Sequence, residues 1–293
     1  MNDNNNDRLL RGGDHMASLF SGATREFETK NSVSEERRRQ LAFGSILMHR
    51  FGESSRVFKL SSGLPLNELM SLLYRYKIDD SEDARKMVKK LSQADYFTPL
   101  ANEVFDYFVK TDKLKPLSLG DLPKSIVGLE HTWEFSLQET IPTTEQYIKL
   151  NPVAPHEDTT FVWHVYAQKY MVAHLNDCID AYKENIRFFD EQSIFTAEEL
   201  ANVTDFSAYD LGRVAYISKL NFHLGYLDEK DAWDYIETAA KTASEKYENW
   251  RQYLCAYIMG RSLSAGKDAT DFGGALSFLL EDEESPLKDI SFR

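Results

Sequence analysis

The segment 207–265 constrains the fold more than any other part of the sequence, because it reads as three consecutive helices joined by two short turns. Its apolar residues recur at spacings of three and four, the period of one face of an α-helix. Gly225 is placed to end the first helix, Asp228 to cap the second and Asn249 to cap the third. Short connections of this kind favour antiparallel neighbours. The segment therefore predicts a mainly α-helical protein built around these signature helices.

Several short runs in this segment and near the two ends of the chain resemble a known family. These runs are Ala208 to Arg213, Gly225 to Glu229, Ala232-Trp233, Asn249-Trp250, Met259 to Arg261, Leu41 to Leu47, Leu279-Leu280 and Ser285-Pro286. They resemble the bacterial family catalogued as domain of unknown function 1266, the YbeU and YbeR-like uncharacterised proteins. The common Trp-Asp pair of that family is Tyr209-Asp210 here, which keeps an aromatic residue. The resemblance implies a mostly helical bacterial domain and brings no established reaction.

The remaining sequence favours one large domain behind a tail. Residues 1–31 are polar with little periodicity, which predicts a flexible N-terminal tail. Residues 32–293 predict a single α-helical domain, with two packed halves, 32–113 and 159–293, as the alternative. Prolines punctuate residues 114–158, where one or two short strands are permitted. The predicted fold is a multi-helix globular bundle with an irregular, short-stranded excursion around 114–158.

The charge and the cysteine content limit which partners and which cellular compartment we expect. A net charge of −13 opposes binding to nucleic acid or to an anionic membrane surface. No run reaches the roughly 18 apolar residues that a membrane span needs, and the first residues lack the apolar core of a secretory signal. Cys178 and Cys255 stand in apolar helical patterns without a paired spacing, which is typical of a reduced protein. We therefore expect a cytoplasmic protein, although export without a cleaved signal would leave no mark in the sequence.

Motifs that carry known chemistry are missing from the sequence. The seven histidines never stand four residues apart, the usual spacing of two metal ligands on one helix. Neither a phosphate-binding glycine loop nor a Gly-x-Ser-x-Gly nucleophile elbow occurs. We expect neither a metal nor a cofactor, and we predict no catalytic residue.

The polar group of greatest interest consists of Asp210, Arg213 and Arg261 in the signature helices. Both arginines lie on or beside an apolar stripe, and an arginine near a core must find carboxylate or carbonyl partners. Asp210 stands three residues before Arg213 and is predicted to pair with it. Asp234 or another acid is predicted to pair with Arg261. Such an adjacent arginine would lower the pKa of Asp210, which disfavours this carboxylate as a catalytic base.

A glycine precedes each of these arginines. Gly212 and Gly260 stand inside helices, where a glycine costs about 1 kcal/mol relative to alanine. Close approach of a neighbouring backbone or side chain is the physical reason that we expect for them.

Two interpretations of this polar group remain open. The favoured one is a buried network of ion pairs that fixes the helix register. The alternative is a shallow pocket in which Arg213 and Arg261 hold an anionic ligand. Its aromatic frame would comprise Tyr209, Tyr216, Trp233, Trp250 and Tyr257.

The functional hypotheses follow from these features. The acidic charge and the absence of catalytic motifs favour a non-enzymatic protein-interaction module, such as an adaptor or an immunity-type partner of a basic protein. The alternatives are an enzyme and a small-anion sensor, each using a pocket of Asp210, Arg213 and Arg261. The sequence leaves the oligomeric state open.

Overall fold

A computed structural model describes residues 22–61, 63–74, 76–116 and 159–293. These residues contain twelve α-helices and, outside them, one isolated antiparallel bridge between Ser32 and Val57. The mainly α fold class predicted from the periodicity is therefore confirmed. Most of the predicted excursion, from residue 117 onward, lies outside the described residues, as does the first part of the predicted tail. None of the helices in the described ranges has the length and apolarity to cross a bilayer.

The helices follow the chain in two groups. The first six are α1 (Gly22–Lys30), α2 (Glu35–Ala42), α3 (Ser45–Arg50), α4 (Leu66–Tyr74), α5 (Ser81–Ser92) and α6 (Thr98–Val104), with a π-helical turn at Phe105–Val109. The second six are α7 (Thr159–Glu191), α8 (Ala197–Ala201), α9 (Ala208–His223), α10 (Glu229–Lys246), α11 (Trp250–Ala265) and α12 (Gly273–Glu281). A 3₁₀ turn at Thr270–Phe272 precedes α12.

The predicted ends of the signature helices α9, α10 and α11 are confirmed by their hydrogen bonds. The side chain of Asp228 accepts from the backbone N–H of Asp231 at 2.7 Å and so caps α10. Asn249 caps α11 in the same way, because its Oδ1 accepts from the N–H of Gln252 at 2.8 Å. Gly225 follows α9 with a φ of +76°, a left-handed conformation that glycine adopts without steric cost.

Helix α9 is the centre of the bundle. It packs against α3, α4, α5, α10 and α11, and 13 of its 16 residues are buried. Helix α11 lies beside it and also packs against α6 and α7. A helix that is covered on nearly every side must bury its polar residues as well as its apolar ones. The buried polar residues of α9 therefore need partners from neighbouring elements.

The two glycines that precede the arginines mark close approaches, as their position inside helices predicted. A Cβ atom at Gly260 would lie 2.8 Å from the carbonyl oxygen of Phe206 and 2.8 Å from the Cβ of Tyr209. A Cβ atom at Gly212 would lie 2.8 Å from the ring of Tyr257. Glycine at these positions lets α9 and α11 come close enough to place Arg213 and Arg261 near the same space.

One element differs from the predicted tail. Residues Gly22–Lys30 form helix α1 instead of unstructured chain. Two contacts hold it to distant residues: Arg25 pairs with Glu284 at 2.9 Å, and the Ser54 hydroxyl donates to Glu28 at 2.5 Å. These contacts lie more than 20 residues away in sequence, which is why the local composition did not reveal them.

Candidate functional site

Asp210 lies near the start of α9 and is fully buried. Its Oδ2 accepts from the N–H of Thr98 at 3.0 Å and from the Thr98 hydroxyl at 2.8 Å. The N–H groups of Tyr96 and Phe97 donate to the same carboxylate at 3.0–3.2 Å. The carboxylate thus satisfies the N–H groups that begin α6, which would otherwise have no intrahelical partner. Asp210 is a structural residue that joins α9 to α6.

The predicted pair between Asp210 and Arg213 is not formed. The oxygens of Asp210 face the turn before α6, and Arg213 bonds to other groups. The predicted lowering of the Asp210 pKa by a neighbouring arginine was wrong. Burial raises the pKa of Asp210, while the N–H and hydroxyl donors of residues 96–98 act in the opposite direction.

Arg213 is surrounded by tyrosines. Its Nε donates to the Tyr76 hydroxyl at 3.0 Å, its Nη1 to the Tyr209 carbonyl at 3.1 Å, and its Nη2 to the Tyr209 hydroxyl. The guanidinium also lies 3.5 Å from the centroid of the Tyr209 ring and 4.9 Å from that of Phe97. Among the described residues, no carboxylate forms an ion pair with it. Because a guanidinium stays protonated in proteins, Arg213 is a positive charge with no negative partner in the described part of the chain.

Arg261 finds its acid in Asp271, not in Asp234. Its Nη1 lies 3.5 Å from Asp271 Oδ1, and Arg50 pairs with the other oxygen of the same carboxylate. Both guanidiniums also lie against the ring of Phe272, at 4.8 Å for Arg261 and 4.5 Å for Arg50. Asp234 pairs instead with Lys230 on the surface of α10. Two arginines therefore share one carboxylate.

These arginines line a cavity of about 220 Å³ between α3, α4, α9 and α11. The cationic residues of its wall are Arg50, Arg213, Arg261 and Lys267. The hydroxyl-bearing residues are Tyr76, Tyr209, Tyr216 and Tyr257. Leu47, Leu72 and Ile217 are among the apolar residues of the wall. The lining residues include no histidine, cysteine, aspartate or glutamate from the described part of the chain.

Three tyrosines of this cavity, Tyr209, Tyr216 and Tyr257, have hydroxyls that donate to no described group. The hydroxyls of Tyr216 and Tyr257 are buried and have no hydrogen-bond partner among the described residues. The Tyr209 hydroxyl accepts from Arg213 and donates to no described group. Burial raises the pKa of Tyr216 and of Tyr257, so both hydroxyls stay protonated at neutral pH. A buried polar group without a partner costs about 1–3 kcal/mol, and the hydroxyl oxygens of Tyr216 and Tyr257 are closed off from solvent.

The two tryptophans of the predicted aromatic frame lie outside the cavity. Trp233 packs against Phe58 with ring centroids 4.8 Å apart, and the guanidinium of Arg37 covers it at 4.4 Å. Trp250 donates from Nε1 to the Ile290 carbonyl at 3.0 Å and packs against Phe43. Trp233 is a core residue, and Trp250 is partly buried and packs against the core. Of the eight residues predicted for the pocket, five line the cavity, namely Arg213, Arg261, Tyr209, Tyr216 and Tyr257, whereas Asp210, Trp233 and Trp250 do not.

Arg50, Lys267 and Tyr76 line the cavity but were missed by the sequence reasoning. Each comes from a different segment, so no local spacing brings them together. A signal did exist for Arg50, because it ends α3, whose other five residues are buried. An arginine at the end of a buried helix needs a partner. The same argument that selected Arg213 and Arg261 therefore applies to Arg50.

A buried ion pair lies further along α9. Nζ of Lys219 is 3.3 Å from Oε2 of Glu53 and 2.8 Å from the Ser54 carbonyl, and both charged side chains are fully buried. Burial lowers the pKa of Lys219. Glu53 in turn accepts from the backbone N–H of Ser61 at 2.9 Å. The pair ties α9 to the segment that follows α3.

Metal and thiol chemistry find no support in the described residues. No group of three histidine, cysteine or acidic side chains there is arranged to hold a metal ion. Cys178 and Cys255 are buried and free, and burial raises the pKa of both thiols, that of Cys255 to about 12. Their thiols are therefore protonated at neutral pH and are poor nucleophiles.

Comparison with known proteins identifies the family of this chain. One family model matches residues 71–292 of this chain. The family is described as a protein of unknown function, DUF1266. The match covers all three signature helices and begins after Leu41–Leu47, the opening run that also resembles the family. Searches of curated proteins and of solved structures found no match. Because the family model matches most of its length, the chain belongs to the DUF1266 family.

Proposed function

We propose that this protein binds a small anion in the cavity lined by Arg50, Arg213, Arg261 and Lys267. The observation that carries the proposal is an arginine without a counter-charge. Among the described residues, no acid pairs with Arg213, whose guanidinium bonds to Tyr76 and Tyr209 instead. A ligand that offers negatively charged oxygen atoms would supply the missing counter-charge.

The charge of the cavity supports the same proposal. Four cationic side chains line it, and within the described ranges the one acid that pairs with any of the three arginines is Asp271, shared by Arg50 and Arg261. The protein as a whole carries a net charge of −13, so the positive charge at the cavity is opposite in sign to the charge of the whole protein. A low-dielectric wall strengthens the attraction between such a site and an anion. An anion would thus be drawn to this cavity in preference to the rest of the surface.

Binding is favoured over catalysis by the residues that the cavity lacks. Among its described lining residues there is no carboxylate, imidazole or thiol that could act as a base or nucleophile. Asp210, the acid considered for that role, is occupied by the backbone of residues 96–98. We therefore propose a sensor or binding protein, the small-anion alternative raised by the sequence, and not an enzyme.

The test measures binding by calorimetry against a panel of small anions that includes phosphate, sulfate, acetate and succinate. We expect Arg213→Gln to weaken binding of the best anion by at least about tenfold, since it removes one charge from a partly buried site. Arg187→Gln serves as the control, because Arg187 is an exposed arginine that pairs with Glu184 and Glu191. Both variants are first checked for a parent-like circular dichroism spectrum. Equal affinity of parent and Arg213→Gln, or no binding by any anion, would contradict the proposal.

A protein-interaction role stays a second proposal, supported by one face of α4. Leu66, Met70 and Tyr74 recur at spacings of four and are 48–69% exposed. Large apolar side chains in one row are typical of a surface that contacts another protein. The net charge of −13 would suit a partner with basic residues around its apolar contact. A cytoplasmic location is likewise a proposal, supported by the two unpaired, buried cysteines.

A further inference from the structure

We infer that the ligand of this cavity is a small phosphate monoester, held by its phosphate group and packed through its organic part against apolar wall residues. This inference rests on the proposed function and specifies the ligand class of the same site. Three properties of the cavity lead to it: the directions from which the donors come, the number of charges, and the composition of the remaining wall.

The donors reach the cavity from separate elements. Arg50 ends α3, Arg213 lies in the middle of α9, Arg261 lies near the end of α11, and Lys267 follows α11. A carboxylate offers two oxygens in one plane, so it can meet donors from few directions. A tetrahedral phosphate presents three terminal oxygens in different directions and suits a site whose donors surround it.

The charge balance also favours phosphate. Three arginines line the cavity, and among the described residues Asp271 is the one acid that pairs with any of them. A monocarboxylate would neutralise only one more. A phosphate monoester carries a charge of about −1.5 to −2 at pH 7, so it leaves less positive charge uncompensated in the partly buried site. Each additional ion pair at short distance in such surroundings is worth more than it would be in water.

The size and the apolar wall distinguish an ester from free phosphate. The cavity of about 220 Å³ is several times the ~30 Å³ share of one water molecule, and inorganic phosphate would leave much of it unfilled. Leu47, Leu72 and Ile217 form part of the wall and offer nothing to a free phosphate ion. An organic group would remove these side chains from water and add hydrophobic contact. The cavity therefore fits an anionic head joined to a short apolar or aromatic group.

Four probes test this inference by calorimetry at pH 7 on the full chain. Phenyl phosphate carries the tetrahedral dianion and an aromatic group. Benzoate keeps the ring with a planar monoanion, benzenesulfonate keeps it with a monoanionic sulfonate, and inorganic phosphate keeps the charge without the ring. We expect phenyl phosphate to bind roughly tenfold or more tightly than each of the other three.

Two variants separate the contributions of the head and the organic group. Leu72→Ala should weaken phenyl phosphate several-fold and leave inorganic phosphate unchanged, because it trims the apolar wall only. Arg213→Gln should weaken both. Circular dichroism and the melting temperature of each variant show whether it retains the fold.

The possible results distinguish this inference from the broader proposal. Benzoate or benzenesulfonate binding as tightly as phenyl phosphate would overturn the phosphate assignment and leave anion binding standing. Inorganic phosphate binding as tightly as phenyl phosphate would overturn the ester assignment alone. If no probe bound and the wider anion panel also failed, the proposed function would fall together with this inference.

Discussion

His49 lies in α3 with its ring stacked on Phe278, at a centroid distance of 4.5 Å and an interplanar angle of 9°. Burial lowers the pKa of this imidazole from 6.5 to about 4. The unfolded chain therefore binds a proton near pH 6.5 while the folded protein does not. Stability from this group is fully present above pH 6.5 and is lost as the pH falls toward 4, by about 3 kcal/mol in total.

Substituting His49→Phe should remove this pH dependence. Phenylalanine preserves an aromatic ring against Phe278 and has no proton to gain. Between pH 7 and pH 5, we expect the parent to lose about 2 kcal/mol more of its free energy of unfolding than the variant does. Urea titrations of both proteins at the two pH values measure the difference. Parallel losses in parent and variant would show that His49 titrates normally in the folded protein.

Single residues also show where sequence reasoning fails. The sequence correctly predicted that Arg213 and Arg261 stand near the core and need partners. It assigned the wrong partners, because a spacing of three on one helix suggested Asp210 for Arg213. The real contacts of Asp210 are to residues 96–98, more than 100 positions away. Local spacing carries no information about which distant backbone will reach a buried carboxylate.

At the scale of elements, the approach of α9 and α11 depends on glycine. We expect Gly260→Ala to destabilise the protein by about 1–3 kcal/mol, because the new methyl group would meet the Phe206 carbonyl oxygen at 2.8 Å. The intrinsic gain of about 1 kcal/mol from alanine in a helix is too small to offset this clash.

Gly274 in α12 provides the matched control, since a Cβ atom there meets nothing within 4 Å. Gly274→Ala should leave stability unchanged or raise it by up to about 1 kcal/mol. Thermal unfolding of the two variants beside the parent measures both effects. A Gly260→Ala variant that melts at or above the parent temperature would mean that α9 and α11 can move apart at little cost.

Helices and their caps were the most predictable features of the fold. The period of apolar residues, the capping side chains of Asp228 and Asn249, and the left-handed Gly225 are all local signals, and each is confirmed. Helix α1 was missed because its stabilising contacts, to Glu284 and Ser54, are distant in sequence. Local patterns thus predict where helices begin and end, but not which short polar segment a distant contact will hold in place.

At the scale of the whole molecule, the residues that match the family model and the residues that form the folded core are not the same range. The match begins at residue 71, yet Leu47, Arg50 and Phe51 line the cavity, and Glu53 is the partner of Lys219. The segment before the match also supplies fully buried core residues such as Ile46. The site therefore needs residues on both sides of the match boundary.

A chain shortened to begin at Leu64 should fail to fold cooperatively. It would lose α1, α2 and α3 and leave Lys219 without its acid. Removing one partner of a buried ion pair costs about 3–5 kcal/mol, and each large core side chain lost adds about 2–5 kcal/mol. Together these losses exceed the typical 5–15 kcal/mol stability of a domain.

A chain beginning at Gly22 keeps every described residue and is the control, for which we expect a cooperative transition. Circular dichroism during heating measures both chains. A sharp transition in the chain that begins at Leu64 would show that the matched region is an independent folding unit.

The central position of α9 has a consequence for how relatives of this protein would diverge. Three of its polar residues have different roles: Asp210 holds the start of α6, Lys219 holds the segment after α3, and Arg213 lines the cavity. Two of them maintain the architecture, whereas the third can change without breaking either anchor. Relatives that recognise another ligand should therefore carry a substitution at Arg213 while retaining Asp210 and Lys219. An evolutionary change of ligand specificity would appear as substitutions within one turn of this helix.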